Sequence, residues 1–236
     1  MWKRIGCVPA TLAVACVTGC AHQAPVSTAR PERAPTAESI PLPASATVFL
    51  GCGFLLAENH GSTHFSLLLT GHDLKQDRRD PTVFIVDDVL FQTTVATAST
   101  IGDARLRGLE LLRRHMAWEA AYVAEVKHWS SLRPYGHPVG QVREFPMFLW
   151  GYDAPEPVLV AGAKVNRMLY LGIAVDDVVF TIAAALRPGD DPGGVSRVLA
   201  RVARTVRRSQ GPLDVFAIAG ALKPGVPAAD CSRVDE

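Results

Sequence analysis

Three histidines, His60, His64 and His72, fall within 13 residues, with Glu58 and Asp73 beside them. Imidazoles and carboxylates are the donor set that zinc or copper takes. The i, i+4 spacing of His60 and His64 suits a helix, yet Gly61 and Ser62 between them read as a turn entering a strand. Polar loop residues are the plain reading, and a metal site requires the chain to fold back on itself. Asp87-Asp88 and Asp176-Asp177 would offer calcium a set of carboxylates if they met, although acidic residues at a hairpin turn need no ion to explain them. Arg197, Arg201, Arg204 and Arg208 recur at i, i+4, i+7 and i+11 along one helix face, which could be an anion-binding ridge. Arg outnumbers Lys 19 to 5, so a solvated face in an Arg-rich chain is the alternative. Phe145, Phe148, Trp150 and Tyr152 lie beside Pro146, which suggests a strand at a sheet edge, packed as core or, at Trp150, open to a partner. There is no Gly-rich phosphate loop, no G-x-S-x-G, no H-E-x-x-H and no S-x-x-K, so no catalytic residue is assigned and no cofactor is called for.

These candidates sit behind a leader. Lys3 and Arg4 precede an apolar stretch at residues 5–19, broken by Pro9 and shorter than the roughly 20 residues a membrane-crossing helix needs. It ends in Val17-Thr18-Gly19-Cys20, which resembles the lipobox of bacterial lipoproteins. The resemblance implies a signal peptide at residues 1–19, cleavage before Cys20, a diacylated Cys20 thiol and an acylated new amine. Several acyl chains, palmitate among them, anchor stably where one would be marginal. Ala21, not Asp, at the next position implies the periplasmic side of the outer membrane by the sorting rule of that family. Cys7 and Cys16 leave with the leader. The remaining pair, Cys52 and Cys231, reads outside the cytoplasm as a disulfide, with a buried Cys52 and a free Cys231 as the alternative. Closing so long a loop stabilises by about 5 kcal/mol at most.

Residues 20–46 hold five prolines between Ser, Thr and Glu and few large apolar side chains. Such a segment cannot bury enough surface to fold and reads as a disordered tether, with an upper reach of roughly 80 Å. Residues 47–236 read as a single α+β domain, the alternative being two similar halves at 47–130 and 131–222. Strand-length apolar runs occupy 48–56, 64–70, 142–150 and 158–164. Two hairpins turn at Asp87-Asp88 and Asp176-Asp177, the second inside an apolar stretch at 168–186 that two central Asp disqualify as a membrane span. The strings Val86-Asp87-Asp88-Val89 and Val175-Asp176-Asp177-Val178 repeat at an offset of 89. One helix is predicted from an Asp103 cap to about Val126, with Leu106, Leu109, Leu112, Met116 and Val123 on one face. Another starts at Asp191 and Pro192, stops at Gly211-Pro212, and buries Val195, Val198, Leu199, Val202, Ala203 and Val206. A last apolar run at 213–222 could add a strand. The expected fold is an antiparallel sheet packed by two amphipathic helices. Four meandering strands followed by a C-terminal helix, here residues 142–208, resemble PsbP-like α/β/α domains, some of which are lipoproteins. That likeness implies an accessory or binding domain rather than a catalyst.

Composition narrows the function further. The 236 residues are 48% apolar, and once Lys3 and Arg4 leave, 22 Lys and Arg face 23 Asp and Glu. A near-neutral body has no cation surplus with which to neutralise phosphates, so nucleic acid is excluded as a partner. The sequence therefore points to a membrane contact through lipid on Cys20, and to a binding or assembly accessory of the cell envelope whose partner is another envelope protein. A catalyst is the less favoured reading. The alternatives are an envelope enzyme, metal-assisted through His60, His64 and His72, and a small-ligand carrier.

Overall fold

The computed structural model describes residues 44–50, 53–71, 73–77, 80–160, 163–214 and 217–218. The chain divides into units Met1–Ile40 and Pro41–Glu236, and every described residue belongs to the second. Cys20, Cys52, Cys231 and His72 lie outside the described residues, as do the expected leader and most of the expected tether.

The expected α+β class holds, with two antiparallel sheets where one was expected. The larger has seven strands in the order β4 (Leu74–Gln76), β5 (Val83–Val86), β6 (Val89–Thr97), β10 (Val178–Leu186), β9 (Ala163–Val175), β8 (Phe145–Val160), β7 (Tyr135–Val142). The smaller runs β1 (Ser45–Phe49), β2 (Gly53–His60), β3 (Thr63–Thr70), β11 (Arg207–Ser209). Strand β1 claims Ser45 and Ala46 from the segment read as tether, and the 48–56 run is two strands, not one. The runs at 142–150 and 158–164 each cross a hairpin turn, because β8 is a single strand of 16 residues.

Both Asp-Asp hairpins form as expected. Asp87 and Asp88 take φ of 50° and 65°, the mirror-image turn whose twist suits a two-residue hairpin. Strands β6 and β10 pair in a register that sets Thr93 opposite Ile182, residues separated by the same 89 positions as the two turn strings. Strand β10 is buried at all nine positions. It lies mid-sheet with both faces covered, which is why its sequence is continuously apolar rather than alternating.

One face of the large sheet packs against β2, β3 and α3 (Pro192–Ala203). Leu67, Leu69, Phe65, Leu171, Ile173, Phe180, Ile182 and Leu199 close this layer with almost no exposure. Phe65 and Phe180 meet edge-on at 5.8 Å. The predicted stripe of α3 is the one buried, and Asp191 caps the helix by accepting from Gly193 N and Gly194 N at 2.9 and 2.8 Å. The helix ends at Ala203, eight residues before the expected stop. Thr205 Oγ1 accepts from Leu68 N at 2.8 Å and donates to the Val202 or Leu68 carbonyl, turning the chain onto the free edge of β3 as β11. Of the 213–222 run, the described residues 213–214 are coil and 217–218 helical, not strand. Asn59 clamps this exit by donating to Leu213 O and accepting from Leu213 N.

The opposite face carries α1 (Ala98–Ile101) and α2 (Gly108–Lys127). Asp103 does not cap α2. It accepts from the Arg105 backbone and guanidinium in the preceding turn, and Arg107 stands at the N-cap with no side-chain bond. Strand β7 is the outer edge, blunted by Pro138 and a register shift between Pro138 and Gln141. Among the described residues no helix is long and apolar enough to cross a membrane.

Candidate binding site beneath helix α2

Helix α2 turns an unusual stripe toward the sheet. His115, Trp118, Glu119 and Tyr122 stand at i, i+3, i+4 and i+7, between buried Leu111, Leu112, Ala120 and Val123. The spacing is that of any core-facing stripe, but the residue types are titratable and aromatic. The strands opposite supply matching chemistry. Across the sheet, Gly136, Trp150, Tyr170, Ala183 and Gln92 are successive partners in one row, and Tyr152, Met168, Ala185 and Leu90 form the row two residues along. Large rings thus occupy β8 and β9, and alanines occupy β10.

Two ring pairs are parallel. Trp150 and Tyr170 stack across β8 and β9 with centroids 3.9 Å apart and planes at 8°. Trp118 and Tyr122 stack along α2 at 6.1 Å and 9°. Tyr152 tilts against Tyr170 at 5.9 Å and takes Trp129 edge-on at 6.3 Å, and His115 lies 5.9 Å from Trp118. Gly136 makes room for these rings, since a Cβ there would sit 2.7 Å from Phe148 and from Trp150.

The polar groups of the cluster are few. Tyr170 OH donates to Tyr152 OH at 3.4 Å. Glu119 makes no hydrogen bond or ion pair among the described residues, and burial pushes its carboxyl up to about 7. Burial also raises the Tyr170 and Tyr152 phenols, and the Glu119 charge adds to both. His115 is pushed down to about 4 by burial and is a neutral imidazole at pH 7. Arg167, on β9, is committed to Asp153 at 2.6 Å. The result is a carboxyl that burial pushes up to about 7, close enough to Tyr152 and Tyr170 for its charge to raise both phenols. Such an arrangement can bind and orient a ligand or exchange a proton with it.

The residues expected from sequence fare differently. Trp150 is 2% exposed and stacked, so it is not an open docking residue, and β8 is one strand in from the edge. Strand alternation splits the aromatic run: Phe145 faces the α3 layer, while Phe148, Trp150 and Tyr152 face α2. Arg197 and Arg201 are on α3 and Arg204 is its C-cap, while Arg208 is in β11. Arg197 pairs with Asp191 at 3.5 Å, Arg201 with Asp87 at 3.3 Å and Arg208 with Asp176 at 2.8 Å, so three of the four hold acids of their own chain. The two Asp-Asp turns lie at opposite ends of the β6–β10 pair, about 30 Å apart at 3.3 Å per residue, and cannot share a calcium ion.

His60 and His64 do not converge. His60 is paired with Thr63 and His64 with Asn59, adjacent rungs whose side chains leave opposite faces of the sheet. His60 instead bonds Glu58 Oε2 at 3.0 Å, an oxygen that also accepts from Ser45 Oγ, and His64 Nδ1 is buried with no hydrogen-bond partner among the described residues. No group of three or more His, Cys, Asp or Glu among the described residues is placed to hold a metal.

The cluster beneath α2 was not singled out from sequence, although its signal is there: H-x-x-W-E-x-x-Y at helical spacing puts a carboxylate and an imidazole where aliphatic residues belong. No family model matches the chain, and no curated protein does either. Among solved structures it is similar to the solution structure of cyanobacterial PsbP (CyanoP) from Synechocystis sp. PCC 6803, at 12% identity and a TM-score of 0.39, over 69% of this chain and 95% of that one.

Proposed function

We propose that the protein is a lipid-anchored lipoprotein of the bacterial cell envelope whose folded body is a non-catalytic binding domain, and that it takes a small ligand in the α2 cluster. The anchor rests on the lipobox tetrad ending at Cys20, and the outer-membrane, periplasm-facing location on Ala21. The proline-rich stretch after it supplies reach from the lipid surface toward another envelope protein, to which the ligand is presented.

One observation carries the binding reading. Glu119 sits half-buried, close enough to Tyr152 and Tyr170 for its charge to act on both, with no hydrogen-bond or ion-pair partner among the described residues, an arrangement that costs stability. Costly polar groups that the fold does not use are characteristic of sites.

The molecule supplies its own reporter. Trp2 lies in the leader, and the other three tryptophans, Trp118, Trp129 and Trp150, all belong to the cluster. A screen of small envelope-derived molecules against the full mature chain, read by tryptophan fluorescence, should give saturable changes that Tyr170→Ala removes. A screen with no saturable response overturns the binding reading. Intact-mass spectrometry of the membrane-extracted protein should show a chain beginning at an acylated Cys20, and an unmodified thiol overturns the anchor.

A further inference from the structure

We infer that the outer face of the four-stranded sheet is covered by the chain's own C-terminal segment, residues 213–236, and so is not a surface for an envelope partner. The register splits β2 and β3 into two faces. Phe54, Leu56, Phe65, Leu67 and Leu69 belong to the layer against the large sheet. Leu55, Ala57, Ser66 and Leu68 alternate with them and face away, and β1 adds Val48 opposite Leu55 and Ala46 opposite Ala57. The outer face is therefore apolar too: Val48, Leu55 and Leu68 form one row, and Ala46, Ala57 and Ser66 the next. An antiparallel sheet with water on one side alternates apolar and polar residues, which Phe54-Leu55-Leu56-Ala57 and Leu67-Leu68-Leu69 do not. Ala57 is 0% exposed and Leu68 5%, although neither belongs to the packed layer on either face of the large sheet. A further part of the chain has to lie over them.

The C-terminal segment enters on this face. Asn59 stands there, two residues along β2 from Ala57, and its side chain donates to Leu213 O at 3.1 Å and accepts from Leu213 N at 2.8 Å. Beyond that clamp, Asp214 Oδ1 accepts from Ala217 N and the Asp214 carbonyl from Ile218 N, both at 3.0 Å. Residues 215–222 read Val-Phe-Ala-Ile-Ala-Gly-Ala-Leu, eight in a row without a polar side chain, which is the composition a dry face takes. Leu55 lies about 13 Å from Asn59 along β2, and eight residues span about 12 Å as a helix or about 26 Å extended, so the run can cross both apolar rows in either form. The other long stretch outside the described residues, 20–43, carries five prolines and few large apolar side chains, and has little to bury on such a face.

The test puts the photoreactive residue benzoylphenylalanine in place of Ser66, beside Ala57 on the outer face, in the full mature chain. Irradiation and peptide mass spectrometry should show position 66 joined to a peptide from residues 213–236 in a product of one chain's mass. The same residue in place of Lys164, on the large sheet, should give no such adduct. Asn59→Ala removes the clamp and Phe216→Asp puts a charge into the apolar run. Each should lower the yield of the adduct about fivefold or more, while the tryptophan fluorescence and the thermal transition stay those of a folded protein. Position 66 joined to residues 20–43 overturns the inference and gives the face to the tether. A product of two chains' mass overturns it by making the face a contact between copies. No adduct at all, or one that both variants leave undiminished, overturns it as well. The ligand reading of the α2 cluster stands or falls separately, by its own screen.

Discussion

The two faces of the seven-stranded sheet are built to opposite rules. The α3 face is aliphatic and closed: Leu171, Ile173, Phe180 and Ile182 meet Leu67, Leu69 and Leu199, and Asp191 anchors the helix with two backbone bonds. The α2 face has rings, an imidazole and a carboxyl in the equivalent layer, and its helix starts at Arg107 without a side-chain cap. The strands are shared, so the difference lies in what each helix brings. One face is closed by aliphatic side chains, and the other adds a buried imidazole and a half-buried carboxyl to its rings.

Truncating the α3 face should cost most. Phe180→Ala removes a fully buried ring that abuts Phe65, and a loss of about 3–5 kcal/mol is expected in urea unfolding. A loss below 1 kcal/mol would mean that the two faces do not divide the work in this way.

The α2 face should respond to pH instead. Glu119 binds its proton more tightly folded than unfolded, so its contribution is favourable below about pH 4.5 and is lost as pH rises to about 7. His115 binds its proton less tightly folded, so its contribution is present above about 6.5 and is lost as pH falls to about 4. Between pH 4.5 and 6.5 the two slopes oppose each other and stability should be nearly flat. Glu119→Gln should raise stability at pH 8 by up to about 3 kcal/mol, less as solvent screens the site, and change nothing at pH 4. His115→Gln should remove the acid-side loss. Unfolding free energies across pH 4 to 8 for the three proteins decide this, and parallel curves would deny the cluster its buried titrations.

Smaller effects sharpen the contrast. Asp191→Ala should cost about 1 kcal/mol through the lost cap, measured as a fall in the thermal midpoint. Arg201→Ala, which breaks an exposed pair with Asp87, should cost less than 1 kcal/mol in the same assay.

The stability face was the legible one. Asp191-Pro192 and the Val-Leu stripe mark α3 because caps and aliphatic periodicity are local signals. The Asp-Asp turns mark both hairpins for the same reason. What escaped depends on contacts distant in sequence. Strand β11 is three residues long and exists because Thr205 bonds Leu68, 137 positions away, so nothing local separates it from a helix end. The second sheet was missed with it. Trp150 meets Tyr170 only in the register that β8 and β9 adopt beside an irregularity between Asp153 and Val158, where β8 carries the extra residues. On α2, a reading that counts aliphatic residues passes over His115 and Glu119, the two that depart from the pattern.

Strand β7 has a consequence of another kind. A seven-stranded sheet ends in two rows of unpaired amides, the template on which copies of a chain polymerise. Here one end is β4, three residues long, and the other is β7, where Pro138 removes a donor and Gly140 at φ 100° accompanies the register shift. Neither edge offers a straight run for a neighbour to zip onto. The seven strands of the large sheet therefore offer copies of this chain no straight edge to extend into fibrils.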